Sequence, residues 1–500
     1  TGKTFAYLVP ALLAERKVII STGTRNLQDQ LFHRDLPVVR DTLGSPVRTA
    51  LLKGRANYLC LHRMENALHD GRHHRRELAQ QLRQVHDWST RTRRGDIAEL
   101  ALPEQAPVWP WVTSTTDNCL GQECPDWQRC HLVEARRRAQ EADLVVVNHY
   151  LLCADMELKE GGFGEILPGA DCFVLDEAHQ LPEIAGQFFG NSLSGRQLLD
   201  LVRDVETEYH REAGDLPEVL DKTAALGKAA QDLRLSFGVE PRRGPWREIA
   251  QEDSFTAALA ELEAALEQLG SQLQVMEGRG KGLDSCHARC TDLQRRLQAL
   301  SVTEDDNHVR WYDTQKTGFR LNCTPLEIAD TFRGRMASHK GAWIFTSATL
   351  AVGESFEHFS KLLGIPEAVT RRWDSPFDYP HQALWFVPRG LPDPNTRDYT
   401  PAVAALAEQV LRYSRGRAFL LFTSHRALQQ AAELLRPRLA YPLLVQGEAP
   451  RAELMQRFCK LGNAVLLGTC LLYTSPSPRD TNLHLVCRLL LEKGGGGGGG

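Results

Sequence analysis

Cys172-Phe173-Val174-Leu175-Asp176-Glu177-Ala178-His179 runs four apolar residues straight into two carboxylates and an imidazole. A short, fully apolar run reads as a strand buried on both faces, the habit of a parallel sheet. Open parallel sheets present their chemistry at the carboxyl ends of their strands, where Asp176 and Glu177 fall here. Residues 17–21, 144–147, 342–345, 418–422 and 464–467 repeat the pattern, each an apolar run ending at a polar residue. Short strands alternating with polar helical stretches predict an α/β chain.

Upstream, Gly2-Lys3-Thr4 has the tail of a phosphate-binding loop, G-x-x-x-x-G-K-[ST]. Main-chain amides of such a loop and the positive end of the following helix cradle phosphate oxygens. In it Lys3 reaches the β and γ phosphates and the Thr4 hydroxyl coordinates magnesium. Asp176 would then hold the same ion, and Glu177 would polarise the water that attacks the γ phosphate. His179 is read as coupling hydrolysis to motion. The pattern starts before Thr1, so the chain reads as beginning inside the loop.

Four cysteines, Cys60, Cys119, Cys124 and Cys130, lie between these motifs. The last three are separated by four and then five residues, in a stretch carrying Asn118, Gly121 and Pro125. So dispersed a set suits a 4Fe-4S cluster, whereas zinc sites pair thiolates two to four residues apart. Cys286 and Cys290 flank His287 on a helical pattern and read as structural, as do Cys153, Cys172, Cys323 and Cys459 in the core. Trp109 and Trp111 read as packing beneath the cysteines.

Composition is that of a globular protein of several domains: 500 residues, 42% hydrophobic and 24% charged. Twelve cysteines without a signal peptide or membrane span point to a reducing, cytoplasmic compartment. A net charge of −4 gives no global pull on nucleic acid, leaving local basic runs at 72–76, 91–94 and 136–138 as candidates. Residues 470–500 change character and end in seven glycines, and read as an artefactual tail.

Taken in order, Thr1-Gly2-Lys3-Thr4, Ser21-Thr22-Gly23-Thr24 with Leu27-Gln28-Asp29-Gln30-Leu31, Lys53-Gly54-Arg55-Ala56-Asn57-Tyr58-Leu59-Cys60, Asn148-His149, the Asp176 box and Thr346-Ser347-Ala348-Thr349-Leu350 resemble a known family. It is the DinG/YoaA branch of the XPD-like superfamily-two iron-sulfur DNA helicases, and 112–121 leans toward the YoaA side. The resemblance covers roughly residues 1–469. It implies two RecA-like motor domains, ATP-dependent 5′ to 3′ movement on single-stranded and forked DNA, duplex unwinding in repair or replication, and Mg-ATP use. It also puts a 4Fe-4S cluster on the four cysteines and a helical Arch domain where strand signals vanish between 192 and 300. The expected division is 1–55, 144–191 and 306–352 for the first motor domain, 56–143 for the iron-sulfur domain and 192–305 for the Arch. A second, incomplete motor domain follows at 353–469. In this context Ser347 and Thr349 link nucleotide to DNA, and Thr423-Ser424-His425 contacts DNA phosphates. The family's later Gly-x-Asp and arginine motifs are not found, so the chain as it stands is expected to hydrolyse ATP poorly and the activity to be that of its parent protein. The rival reading is a zinc-bearing nucleic-acid-binding ATPase or scaffold that does not unwind.

Overall fold

The computed structural model describes residues 2–70, 76–100, 102–103, 106–160, 166–212, 214–238, 240–302, 308–315, 317–326, 328–375, 377–394, 396–449, 451–469 and 487–490. Most of the basic run at 72–76 and most of the tail at 470–500 therefore lie outside the described residues. The chain forms two units, residues 1–100 with 107–374, and residues 101–106 with 375–500. No described helix is long and apolar enough to cross a membrane.

In the first unit, β1 (Val18–Thr22), β2 (Thr49–Leu51), β3 (Leu144–Asn148), β4 (Cys172–Asp176) and β9 (Ala342–Thr346) form a sheet in the order β2-β3-β1-β4-β9. Every pairing in it is parallel. Successive side chains of a strand face opposite ways, so a sheet covered on both sides needs apolar residues at both parities. Val18, Ile20, Leu144, Val146 and Val174 face a core with Tyr7, Leu8 and Leu12 of helix α1 (Lys3–Leu13). Ile19, Val145, Val147, Phe173 and Leu175 face the other, with Leu132, Leu152, Met156 and Leu181.

Two boundaries move from their expected places. Phe359 and Leu363, on the helix Glu357–Leu363, bury themselves in that second core, so residues up to Asp374 belong with the first unit instead of opening a new domain at 353. Strands β7 (His308–Thr314) and β8 (Phe319–Pro325) do not return to the motor sheet. They pair antiparallel with β5 (Asn191–Ser194) and β6 (Arg243–Pro245), in the order β5-β8-β7-β6. Phe319, Leu321 and Cys323 alternate toward one face of β8 and, with Tyr312, join the core of the helices Gly195–Glu212, Glu218–Ser236, Asp253–Val275 and Lys281–Val302. The insertion is thus helices plus a small sheet, because those helices leave an apolar face that only the alternating strands cover.

Cys286 and Cys290 are buried in that core, and the Cys290 thiol donates to the Leu266 carbonyl at 3.3 Å, as structural cysteines should. Cys459 is exposed instead of buried. On the helix Arg451–Leu461 it is Leu454 and Phe458 that face inward, and one residue further on turns about 100° away.

The second unit has a parallel sheet ordered β11-β12-β10-β13, made of β10 (Ala418–Phe422), β11 (Leu443–Val445), β12 (Val465–Thr469) and β13 (Cys487–Leu490). Four residues of the tail thereby pair with β10. Ala418, Leu420 and Phe422 pack on the helices Tyr399–Ser414 and His425–Leu435, while Leu444, Ala464 and Leu466 pack on Leu454 and Phe458.

Leu266 is fully buried among the four long helices. Leu266→Ala should destabilise the insertion by about 2–5 kcal/mol, measured as a shift of its urea unfolding midpoint.

Candidate nucleotide and metal sites

Parallel register aligns the ends of the strands. Thr22 sits opposite Asn148 and Asp176 opposite Thr346, so the motif residues share one rim of the sheet. Local capping holds that rim. The Thr24 hydroxyl accepts from the Leu27 amide at 3.3 Å, and the Asn148 side chain accepts from the Leu151 amide at 2.9 Å. Gly23 passes so near Gln180 that a β-carbon there would meet its amide oxygen at 2.3 Å.

Helix α1 starts from Gly2, whose φ of 80° only glycine adopts without cost. Lys3, its first residue, sets Nζ 2.9 Å from Asp176 Oδ1 and in direct contact with Glu177 Oε1. Thr4 follows it, half-buried. One turn on, the Tyr7 hydroxyl donates to Asp176 Oδ2 at 3.0 Å. Tyr7 escaped the sequence reading, although its spacing of four from Lys3 puts both on one helix face. Burial disfavours the Lys3 ammonium, but the two carboxylates outweigh it and hold its pKa above the ordinary value. Burial, then Asp176, pushes the Tyr7 phenol up, so it stays a donor.

Glu177 has a φ of 56°, a left-handed conformation that costs a non-glycine residue roughly 1–3 kcal/mol. That sharp turn sends its carboxylate back toward Lys3. His179 Nδ1 lies 2.7 Å from Ser347 Oγ and 3.3 Å from Glu177 Oε2, and the Ser347 hydroxyl donates to the same carboxylate oxygen at 3.4 Å. The Thr349 amide donates to Ser347 Oγ at 3.3 Å, while the Thr349 side chain is exposed. Two carboxylates thus share one lysine, leaving negative charge at the rim that a divalent cation would balance.

Behind the rim, His149 is fully buried, its Nδ1 2.7 Å from Ser21 Oγ. Burial lowers its pKa to about 4, despite the nearby main chain and charge of Asp176. The folded chain therefore refuses a proton that the unfolded chain binds below about pH 6.5. Stability should fall as pH drops through that window, by about 2 kcal/mol on going to pH 5. Thermal unfolding midpoints recorded from pH 7.5 to 5 should show this slope, and His149→Asn should flatten it.

The cysteine segment buries Leu82 and Val85 of the helix Arg76–Ser89 and Val108 and Val112 further on, and main-chain bonds place its cysteines. The Cys60 amide donates to the Val112 carbonyl at 2.8 Å, and Gly121, at a φ of 58°, turns its amide to Cys119 Sγ at 3.5 Å. Cys60 is near enough to Cys119 and Cys124 for their charges to interact, as Cys124 is to Cys119 and Cys130, so the fold gathers all four into one neighbourhood. Each is half-buried and free of disulfides. Burial pushes the Cys60 thiol up to about 11, with the Arg63 main chain and charge opposing. Arg136 adds positive charge near Cys119 and Cys130. Four half-buried thiols in one neighbourhood, with Arg63 and Arg136 near some of them, are candidate thiolate ligands. The fold also brings donor atoms of His62, Cys124 and Asp126 within 4.8 Å of one another, a trio that thiol spacing alone does not reveal.

Other candidates divide. Trp109 is buried and Trp111 lies 5.0 Å beneath the Arg203 guanidinium, both as packing residues. Arg137 pairs with Glu134 and Glu141 on its own helix, the arrangement of a solvated face. Ser424 accepts from the Ala427 amide at 3.2 Å as a helix cap, with Thr423 and His425 exposed beside it.

No family model matches the chain. It is similar to the ATP-dependent DNA helicase YoaA of Escherichia coli strain K12, 42% identical over 487 residues that cover 97% of this chain and 77% of that protein. The YoaA helicase of Haemophilus influenzae is 41% identical over 488 residues, covering 97% and 76%. The ATP-dependent helicase DinG of Mycobacterium tuberculosis is 28% identical over 521 residues, covering 97% and 76%. Among solved structures, an XPD helicase has a TM-score of 0.47 at 14% identity, covering 94% of this chain and 74% of that one. Relatives so similar over nearly its whole length establish that the chain belongs to the YoaA family of ATP-dependent DNA helicases.

Proposed function

We propose that the activity of the parent protein is ATP-driven 5′ to 3′ movement on single-stranded DNA, with unwinding of forked duplexes in repair or replication, in the cytoplasm. The family supports the DNA chemistry, and one observation supports the motor chemistry: Lys3, Asp176 and Glu177 in contact at the rim of a parallel sheet, bridged by His179 to Ser347.

On this reading Lys3 leaves the carboxylates for the β and γ phosphates when ATP enters, beside the amides that follow Gly2. Thr4 and Asp176 would hold magnesium, which neutralises phosphate charge. Release of Lys3 frees Glu177 to orient the attacking water. Because His179 and Ser347 touch the same carboxylate, a change at Glu177 reaches Ser347, the residue after β9, directly and Thr349 through it. Cys60, Cys119, Cys124 and Cys130 would hold a 4Fe-4S cluster, which cross-links a segment with few strands of its own.

A second reading has its own observation. His62, Cys124 and Asp126 offer mixed donors close enough for a single ion, and zinc accepts such a set. That form would bind nucleic acid without unwinding. Metal analysis separates the two, since iron with broad visible absorbance supports the cluster and stoichiometric zinc supports the rival.

In the parent protein, Glu177→Gln should keep ATP binding while lowering hydrolysis by roughly 10²- to 10⁴-fold, and Lys3→Ala should weaken ATP binding itself. Wild-type turnover in either variant contradicts the assignment. Cys124→Ser should lose most of its iron, whereas Cys153→Ser, fully buried in the motor core, should keep it. Equal loss from the two would mean that the ligands are misassigned.

A further inference from the structure

Asp204 lies on the helix Gly195–Glu212 of the insertion, and its carboxylate is nine-tenths buried between two arginines of different origin. Arg289 Nη1, from the helix Lys281–Val302, sits 2.7 Å from Oδ2. Arg63 Nη1, three residues after Cys60, sits 2.9 Å from Oδ1. The second fork of Arg63 donates to the Pro110 carbonyl at 3.1 Å, and its main-chain amide faces the Cys60 sulfur. One side chain thereby joins three pieces: the arm carrying Cys60, the arm leading from Pro110 toward Cys119, and the insertion.

The same helix touches the cysteine segment at further points: the Asn66 side chain donates to Glu208 Oε1 at 3.4 Å, and the Arg211 guanidinium donates to Asn66 Oδ1 at 3.2 Å. The Gln197 amide donates to Asp117 Oδ2 at 3.2 Å, two residues before Cys119, and the Arg203 guanidinium covers Trp111. These contacts are polar, and the insertion's apolar core stays within residues 193–323. Registration between the two parts therefore depends on directional bonds, of which the buried Asp204 pairings are best shielded from water. Charge adds to this. Burial disfavours the Arg63 guanidinium, and Asp204, then Cys60 and Asp200, favour it against that burial, so bound thiolates at Cys60 would strengthen its hold.

We propose that Asp204 and Arg289 are positioning residues for the cysteine centre, acting through Arg63, so that metal retention depends on docking of the insertion. The inference rests on the cysteines binding metal, as proposed above. The test follows metal release from the purified holoprotein into a coloured chelator of iron or zinc. Asp204→Asn should release metal at least 10-fold faster than wild type, Arg289→Gln should show a smaller acceleration, and Asp204→Glu should recover part of the loss. Asp215→Asn, which breaks an exposed pair with Arg279 in the same insertion, should release metal at the wild-type rate. Should Asp204→Asn fail to fold by circular dichroism, Arg289→Gln, which keeps the Arg63 pairing, decides alone. Wild-type release from Asp204→Asn or, in that event, from Arg289→Gln overturns the proposal, as does equal acceleration in Asp215→Asn. Zinc in the wild-type protein would overturn the iron-sulfur reading and leave this inference standing or falling on zinc release.

Discussion

Strand β1 is buried along its whole length, paired in register with β3 on one side and β4 on the other. No residue of it is free to slip, because a shift of one position would exchange Val18 and Ile20 with Ile19 between two different cores. From that constraint the rim follows. Ser21 meets His149 across β3, and Asp176 ends β4 where α1 can deliver Lys3. A strand this apolar supplies no chemistry itself, yet it sets every distance between groups that do.

Charges near that frame are handled by pairing. Lys53 is almost wholly buried, and its Nζ lies 2.7 Å from Asp29 and 2.8 Å from Asp96, tying the family's Lys53-Gly54 stretch to the helix after β1 and to the cysteine segment. Asp204 does the same between the cysteine segment and the insertion. Removing the shared member, Lys53 or Asp204, leaves buried charge uncompensated at a cost of roughly 3–5 kcal/mol, far above the median exposed pair. These nodes therefore fix how the parts of the first unit register, and the exposed pairs on helix surfaces do not.

The strain at Glu177 has the same logic. A left-handed glutamate after a buried strand persists because the Lys3 contact, the Asp176 bond to its amide and the Ser347 hydroxyl together over-determine it. When one of those partners leaves, the turn has a reason to relax. Conformational sensitivity is thus built into the residue proposed to orient the attacking water.

Strands and motifs were legible because their signals are local. The apolar runs at 17–21, 144–147 and 172–175 announce buried parallel strands wherever they fall, and Asp176-Glu177 after such a run announces a catalytic rim. That β7 and β8 belong to the insertion was not legible, since alternation such as Phe319-Leu321-Cys323 shows that a face is buried and not what buries it. Cys459 misled for a related reason: a cysteine's burial depends on its helix phase against a core that the sequence does not display. Tyr7, His62, Asp126 and the Arg63–Asp204–Arg289 node needed the tertiary structure outright. Their partners are separated by up to 169 residues, and a pairing across that span leaves no periodicity to read. Sequence alone determined the apolar strands at 17–21, 144–147, 172–175, 342–345, 418–422 and 464–467 and which residue types carry the chemistry, because those depend on near neighbours. Only the fold decided where β2, β5, β6, β8 and β11 lie and which distant side chains meet, because that depends on how the strands stack and where the insertion docks.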